Sequence, residues 1–329
     1  MKKVLGNALT AALSIYLIAQ PCRAEAPKEL PASNPPAKPA GAGAALAVVV
    51  GTRVCLPMPA GFIAADRFTG FQNRSNGASI AVSEIPGPFD KVTAGFDAEH
   101  LKTKGMTLVS KEVMEVGGYP GVVLQVTQEG FGAKWRKWLV AFGDTETVLL
   151  TATWPESLTS ALQATLKEAL LQVKWDRNQE VDPAAGLTYS ITPSPPLKFT
   201  KRLQNMLLFT QSGDLEVRAP GNPMFIVGPS IAELDIPDHS GFARKRLEQM
   251  AELQNFDITS EQPVTISGLS GVEIVASATD ARTGRPKSVY QTILFGNKVY
   301  YLMQGMVDTD LSEGFEETFK STARRFKLK

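Results

Sequence analysis

The stretch "GGYPGVVLQVTQ" at 117–128 returns as "SGLSGVEIVASA" at 267–278. Both read Gly-x-x-Gly-Val and then run on as alternating apolar residues. Glycine takes positive φ at no steric cost, so a Gly-rich turn opening into such a run marks a strand leaving a hairpin. A chain that writes this phrase twice has to build the same hairpin twice.

The neighbouring signals repeat in the same order. "SEIPGPF" (83–89) matches "LDIPDHS" (234–240), each an acidic-Ile-Pro phrase that closes a strand and leads into a helix. "GFDAEHLKTKG" (95–105) parallels "GFARKRLEQMAELQ" (241–254), and "AFGDTETV" (141–148) parallels "LFGNKV" (294–299). Leu158, Leu162 and Leu166 then lie four apart, as do Leu311, Phe315 and Phe319, each set placing an apolar stripe on one helical face. A chain of 329 residues suits two domains. The pattern predicts a tandem duplication, with the first copy at 49–176, a linker at 177–186 and the second copy at 187–329.

Within each copy the β-rich runs are joined by short turns, so consecutive strands must be antiparallel, because a parallel return needs a long crossover. One mid-domain and one C-terminal helix remain to cover the sheet. The expected fold class is α+β, with two tandem domains, each a mostly antiparallel β-sheet covered by helices.

The N-terminus carries "MKK" followed by the apolar "VLGNALTAALSIYLIAQ" and then small residues, which predicts a signal peptide over 1–26 with cleavage after Ala26 or Ala24. The apolar run is too short to span a membrane. Cys22 follows Pro21 rather than the small residue that lipid attachment needs, so a lipoprotein is not expected. Residues 27–48, rich in Pro, Ala and Gly, read as a disordered tether. After cleavage Cys55 stands alone, with no intramolecular disulfide to make, and is expected to be a buried small hydrophobe. The mature protein is expected to be periplasmic or secreted.

The order of acidic-Ile-Pro strand end, Phe-bearing helix, Gly-x-x-Gly-Val hairpin, F-G-D/N hairpin and closing amphipathic helix resembles the PsbP/DcrB-like family. That family includes the extrinsic PsbP subunit of photosystem II and bacterial DcrB-type envelope proteins. The resemblance covers most of residues 51–175 and 187–329. It implies an α/β/α sandwich and a non-enzymatic role in binding or stabilising other proteins, with some relatives chaperoning hydrophobic segments. No catalytic residue comes with it.

Lys plus Arg number 34 against 33 Asp plus Glu, a net charge of +1. Phosphate-backbone affinity needs a clustered basic excess, so no nucleic-acid partner is expected. Of the two histidines, His100 sits in the charged "DAEHLKTK" and His239 beside Glu233, Asp235 and Asp238. Helix capping by Asp238 or Ser240 explains the second group better than a cation site. No G-x-S-x-G, P-loop or metal-spaced Cys/His set occurs, so no catalytic residue, cofactor or metal is expected.

The surface candidate is "KWRKW" at 134–138. On a strand, Trp135 and Lys137 share one face and Trp138 takes the other, continuing into the core with Val140 and Phe142. Lys134, Trp135, Lys137 and, from the repeated turn, Tyr119 are the expected partner-binding residues, since Trp and basic side chains suit binding hot spots. The competing expectation is a helix over that face, burying Trp135. The second copy carries Ser288 and Gln291 at the matching places, so such a site belongs to the first domain. The expected function is an exported, non-enzymatic binding, assembly or chaperone-like protein of the bacterial envelope whose partner is another envelope protein. The alternative is a secreted hydrolase with a site in the inter-domain cleft.

Overall fold

The structure, a computed structural model, describes residues 45–130, 133–158, 160–214, 223–231 and 233–329. The expected leader and residues 27–44 of the tether lie outside these. The chain divides into two compact units, one closing at Gly186 and the other spanning Leu187–Lys329.

In the first unit, β1 (Leu46–Val48) and β2 (Val54–Pro57) precede the short strands β3 (Ile63–Ala64) and β4 (Gly70–Asn73) and the longer β5 (Ala78–Ile85). Helices α1 (Phe89–Val92) and α2 (Ala98–Thr103) follow. Four long strands come next: β6 (Met106–Val116), β7 (Tyr119–Gly130), β8 (Ala133–Gly143) and β9 (Thr147–Pro155). Helix α3 (Ser160–Leu171) and β10 (Lys174–Trp175) close the unit. The main sheet has seven strands in the order β3-β4-β5-β9-β8-β7-β6, every neighbouring pair antiparallel.

The second unit contains β11 (Tyr189–Ser190), β12 (Lys198–Leu203), β13 (Met206–Thr210), β14 (Met224–Pro229) and α4 (His239–Glu248). It continues with β15 (Leu253–Ile266), β16 (Leu269–Asp280), β17 (Pro286–Gly296), β18 (Val299–Asp308), α5 (Phe315–Arg324) and β19 (Lys327–Leu328). Its main sheet runs β12-β13-β14-β18-β17-β16-β15, also antiparallel throughout. Element for element this is the order of the first sheet. In both, three strands are laid down from one edge, helical structure crosses to the far edge, and a four-strand meander returns to the centre. The strand that follows the last helix then pairs with one from the start of its own unit: β10 with β2, and β19 with β11.

The repeated phrase is the turn from edge strand to meander. Gly117 and Gly118 have φ of 61° and 86°, and Ser267 and Gly268 have 53° and 77°. Two successive positive φ values are what the tightest hairpin turns require, because their twist matches that of the flanking strands. The second glycine of each phrase serves packing: a Cβ on Gly121 would lie 2.9 Å from Val116 Cγ2, and one on Gly271 would lie 2.4 Å from the Ile293 carbonyl oxygen. Serine at 267 holds a left-handed conformation that glycine adopts freely. Ser267→Gly is therefore expected to raise the stability of the second unit by up to about 1 kcal/mol in urea unfolding. No gain, or a loss, would show that the serine hydroxyl, which accepts from the Leu328 amide, outweighs the backbone strain.

Each sheet has a dense apolar face. In the first unit Val82, Val123, Trp138, Val140, Phe142, Leu150 and Trp154 pack with Leu166 and Leu170 of α3 and with Val54 and Leu56 of β2. Leu158 and Leu162 lie partly buried at its margin. In the second, Phe209, Phe225, Val275, Tyr290, Leu294 and Met303 pack with Phe319 and Ala323 of α5. The stripe expected through Leu311 begins later, at Phe315: Leu311 is exposed in a 3₁₀ turn, and the helix starts only after Gly314.

Two further expectations change. Leu46–Val48, assigned to the tether, forms β1 and pairs with β2 from Leu46↔Pro57 to Val48↔Cys55, so backbone hydrogen bonding outweighs the bias of a low-complexity composition. Cys55 is half-buried rather than buried, because its β2 neighbours Val54 and Leu56 take the core side of the strand.

Candidate functional site

The four residues expected to form a partner-binding patch do not form one. Trp135 is only 5 % exposed, and its indole Nε1 donates to the Gly130 carbonyl at 3.4 Å. Lys137 is buried on the same face, in register between Val126 and Thr153. The segment through α1 and α2, whose Phe96 and Leu101 are buried, is bonded to residues of this face. Gln128, directly opposite Trp135, donates to the Lys104 carbonyl at 3.4 Å, and Lys111 donates to the Phe96 carbonyl at 2.9 Å. These bonds tie the middle and the C-terminal end of that segment to the sheet. The exposure expected for Trp135 and Lys137 is thus corrected: the strand alternates as expected, but both side chains are buried.

Lys134 remains at the surface, 3.6 Å from Glu129. Tyr119 begins β7 while Trp135 sits opposite Gln128 near its end, nine residues along the strand, or roughly 30 Å at the usual rise. The ladder also corrects the match between units. Gly121 pairs with Phe142 and Gly271 with Leu294, so Trp138 corresponds to Tyr290 and Trp135 to Lys287, not to Gln291 and Ser288.

Tyr119 instead belongs to a cluster around Trp175. Its ring lies 5.3 Å from Trp175, and Phe142 packs edge-on at 6.1 Å. The Arg53 and Arg177 guanidiniums lie 5.5 Å and 5.0 Å from the Trp175 ring centroid, close enough for cation–π attraction. Trp175 Nε1 donates to Glu84 at 2.9 Å. Arg53 is bonded to Glu84 at 2.7 Å and Glu146 at 3.0 Å, and Arg177 to Asp144 at 2.8 Å. Arg177 lies in the segment expected as a linker, and these bonds hold it on the first sheet. Each cation here faces a carboxylate, and the cluster fastens β2 and β10 to the β5 and β8–β9 ends of the sheet.

The second unit holds a polar group that the sequence reading passed over. Glu273 is 1 % exposed, on the face of β16 beneath α5. It accepts from Tyr290 at 2.8 Å, from Gln262 at 2.7 Å and from Arg324 of α5 at 2.5 Å, and Thr292 donates to the Tyr290 hydroxyl at 2.6 Å. Burial alone would push the Glu273 carboxyl up, but donation from Arg324, Gln262 and Tyr290 outweighs it and holds the group below the usual carboxylate range. Burial pushes the Tyr290 phenol up, so it stays a neutral donor. The matching residue of the first unit is Val123, in the core. A carboxylate where the first unit has valine was the available sequence signal, since a buried charge is costly without partners.

The histidines have local roles. His100 Nδ1 lies 2.8 Å from Asp97, whose side chain caps α2, and both are exposed. Asp238 caps α4 by accepting from the Gly241 amide at 2.9 Å, while Ser240 donates to Glu261. His239 stacks on Phe295, ring centroids 3.7 Å apart. Among the described residues no helix is long and apolar enough to cross a membrane.

No protein-family model matches the chain. No curated protein matches it in sequence. Solved structures similar to it include a cyanobacterial PsbP from Synechocystis, at 11 % identity and a TM-score of 0.28, covering 43 % of this chain and 82 % of that one. The immunity protein TplEi of T6SS from Pseudomonas aeruginosa matches at 11 % identity and a TM-score of 0.30, covering 84 % and 95 %. A chain of the Tle4–Tli4 complex matches at 11 % identity and a TM-score of 0.33, covering 82 % and 97 %.

Proposed function

We propose that this chain is an exported, non-enzymatic binding or assembly protein of the bacterial envelope, built by duplication of a PsbP/DcrB-like domain in which helices cover an antiparallel sheet. The observation that carries the reading is the identical strand order of the two seven-stranded sheets. It supports duplication, and a doubled domain offers a partner an enlarged or bivalent surface. A second observation agrees with it. The charged side chains of two clusters are spent on one another, Arg53 and Arg177 on Glu84, Glu146 and Asp144, and Glu273 on Arg324 and Tyr290. Networks satisfied in this way fix structure and are poor sources of a nucleophile or general base.

The test is affinity capture with the mature chain from envelope extract, alongside a panel of ester, peptide and glycoside substrates. Recovery of a defined envelope protein at stoichiometric yield, with no turnover, is the expected result. Turnover above background that follows the purified chain would overturn the reading.

A further inference from the structure

We infer that β6 is a self-association edge, on which a second copy of this chain adds its own β6 antiparallel to the first. The strand lies at the open end of its sheet, eleven residues long and free of proline. Such an edge presents a row of unpaired N–H and C=O groups, which proline or brevity removes. The opposite edge of the same sheet, β3, is two residues long. The matching edge of the second unit, β15, is interrupted by Pro263, and its Glu261 is held by Arg244 at 2.6 Å. On β6 exposed apolar side chains stand among the charges. Val109 and Met114 are exposed, and Val113 is exposed to 82 %, while no large apolar side chain of β15 is exposed.

The charge pattern selects the occupant. In the run Lys111-Glu112-Val113-Met114-Glu115, an antiparallel pairing with its two-fold axis at Val113 sets Val113 against its own copy and Lys111 against the other copy's Glu115, twice. Residues directly opposite share a face with Cβ atoms about 5 Å apart, within reach of an ion pair. The other face sets Glu112 beside the copy's Met114 methylenes, and Glu112 keeps its bond to Lys167 of α3 at 3.0 Å. Lys111 has three donors and spends one on the Phe96 carbonyl, so it can serve both. The pattern is therefore complementary to itself, as an isologous interface requires.

The experiment is sedimentation velocity of the mature full-length chain over a concentration series, with Lys111→Glu, Glu115→Lys and the double exchange. The wild-type chain is expected to dimerise. Either single exchange sets two like-charge pairs across the axis and is expected to weaken the dimer by roughly tenfold, and the double exchange is expected to restore it. Restoration is a readout that damage to the fold would not produce. A wild-type chain that stays monomeric at every concentration overturns the inference. So does a dimer indifferent to both single exchanges, and so does a monomer whose β6 is taken up by a strand of some other protein.

Discussion

Trp135→Ala is expected to cost the first unit about 3–5 kcal/mol of stability, the range for deleting a buried large aromatic side chain. In a thermal scan this lowers the first unit's transition by roughly 10–15 °C. The reason is its burial: it is only 5 % exposed, and its indole is bonded to the Gly130 carbonyl. A surface tryptophan would give a change within about 0.5 kcal/mol. A measured loss below about 1 kcal/mol would therefore return Trp135 to the surface and reopen it as a contact residue. Partner capture by the variant, measured below its transition, should match that of the wild-type chain.

Lys137→Met should stabilise the first unit by about 3 kcal/mol at neutral pH. Lys137 is 2 % exposed and makes no hydrogen bond or ion pair with another described residue, and burial pushes its ammonium down to about 8. The unfolded chain holds that proton up to a pKa of about 10.4, so below pH 8 the folded state carries the full penalty of a desolvated charge. Between about pH 8 and 10.4 the unfolded state binds more protons than the folded one, and stability rises with pH. Above that window the penalty is gone. Methionine keeps the volume and removes the charge, so the difference between the two proteins should be largest at neutral pH and close across this window. Parallel urea curves for the two from pH 7 to pH 10.5 would show that Lys137 finds a counter-charge in solution.

Much of the fold could be read because its signals are local. A hairpin turn needs positive φ at two adjacent positions, and Gly117-Gly118 and Ser267-Gly268 announce it whatever the rest of the chain does. Alternation along β8 correctly sorted Trp138, Val140 and Phe142 from Trp135 and Lys137, because side-chain direction in a strand follows the pleat. Leu166 and Phe319 were found by helical spacing. The first-unit site was misread for the opposite reason. Period two says which residues share a face but not whether anything lies on it, and the bond that reaches the Trp135 pair, from Gln128 to the Lys104 carbonyl, joins residues 24 apart.

The sequence by itself determined the repeated order of turns, strands and closing helices, since each depends on backbone preferences and spacings within a few residues. The tertiary structure alone decided which charges meet and which strand is left open. Glu273 and Arg324 are 51 residues apart, and Arg53 and Glu84 are 31 apart. Whether a carboxylate in an apolar run is a fault or a fastening depends on that distant partner, because a buried charge is costly unless it is hydrogen-bonded and paired. β6 reads like any other amphipathic strand, and only the sheet order makes it an edge whose charges can answer a second copy of themselves.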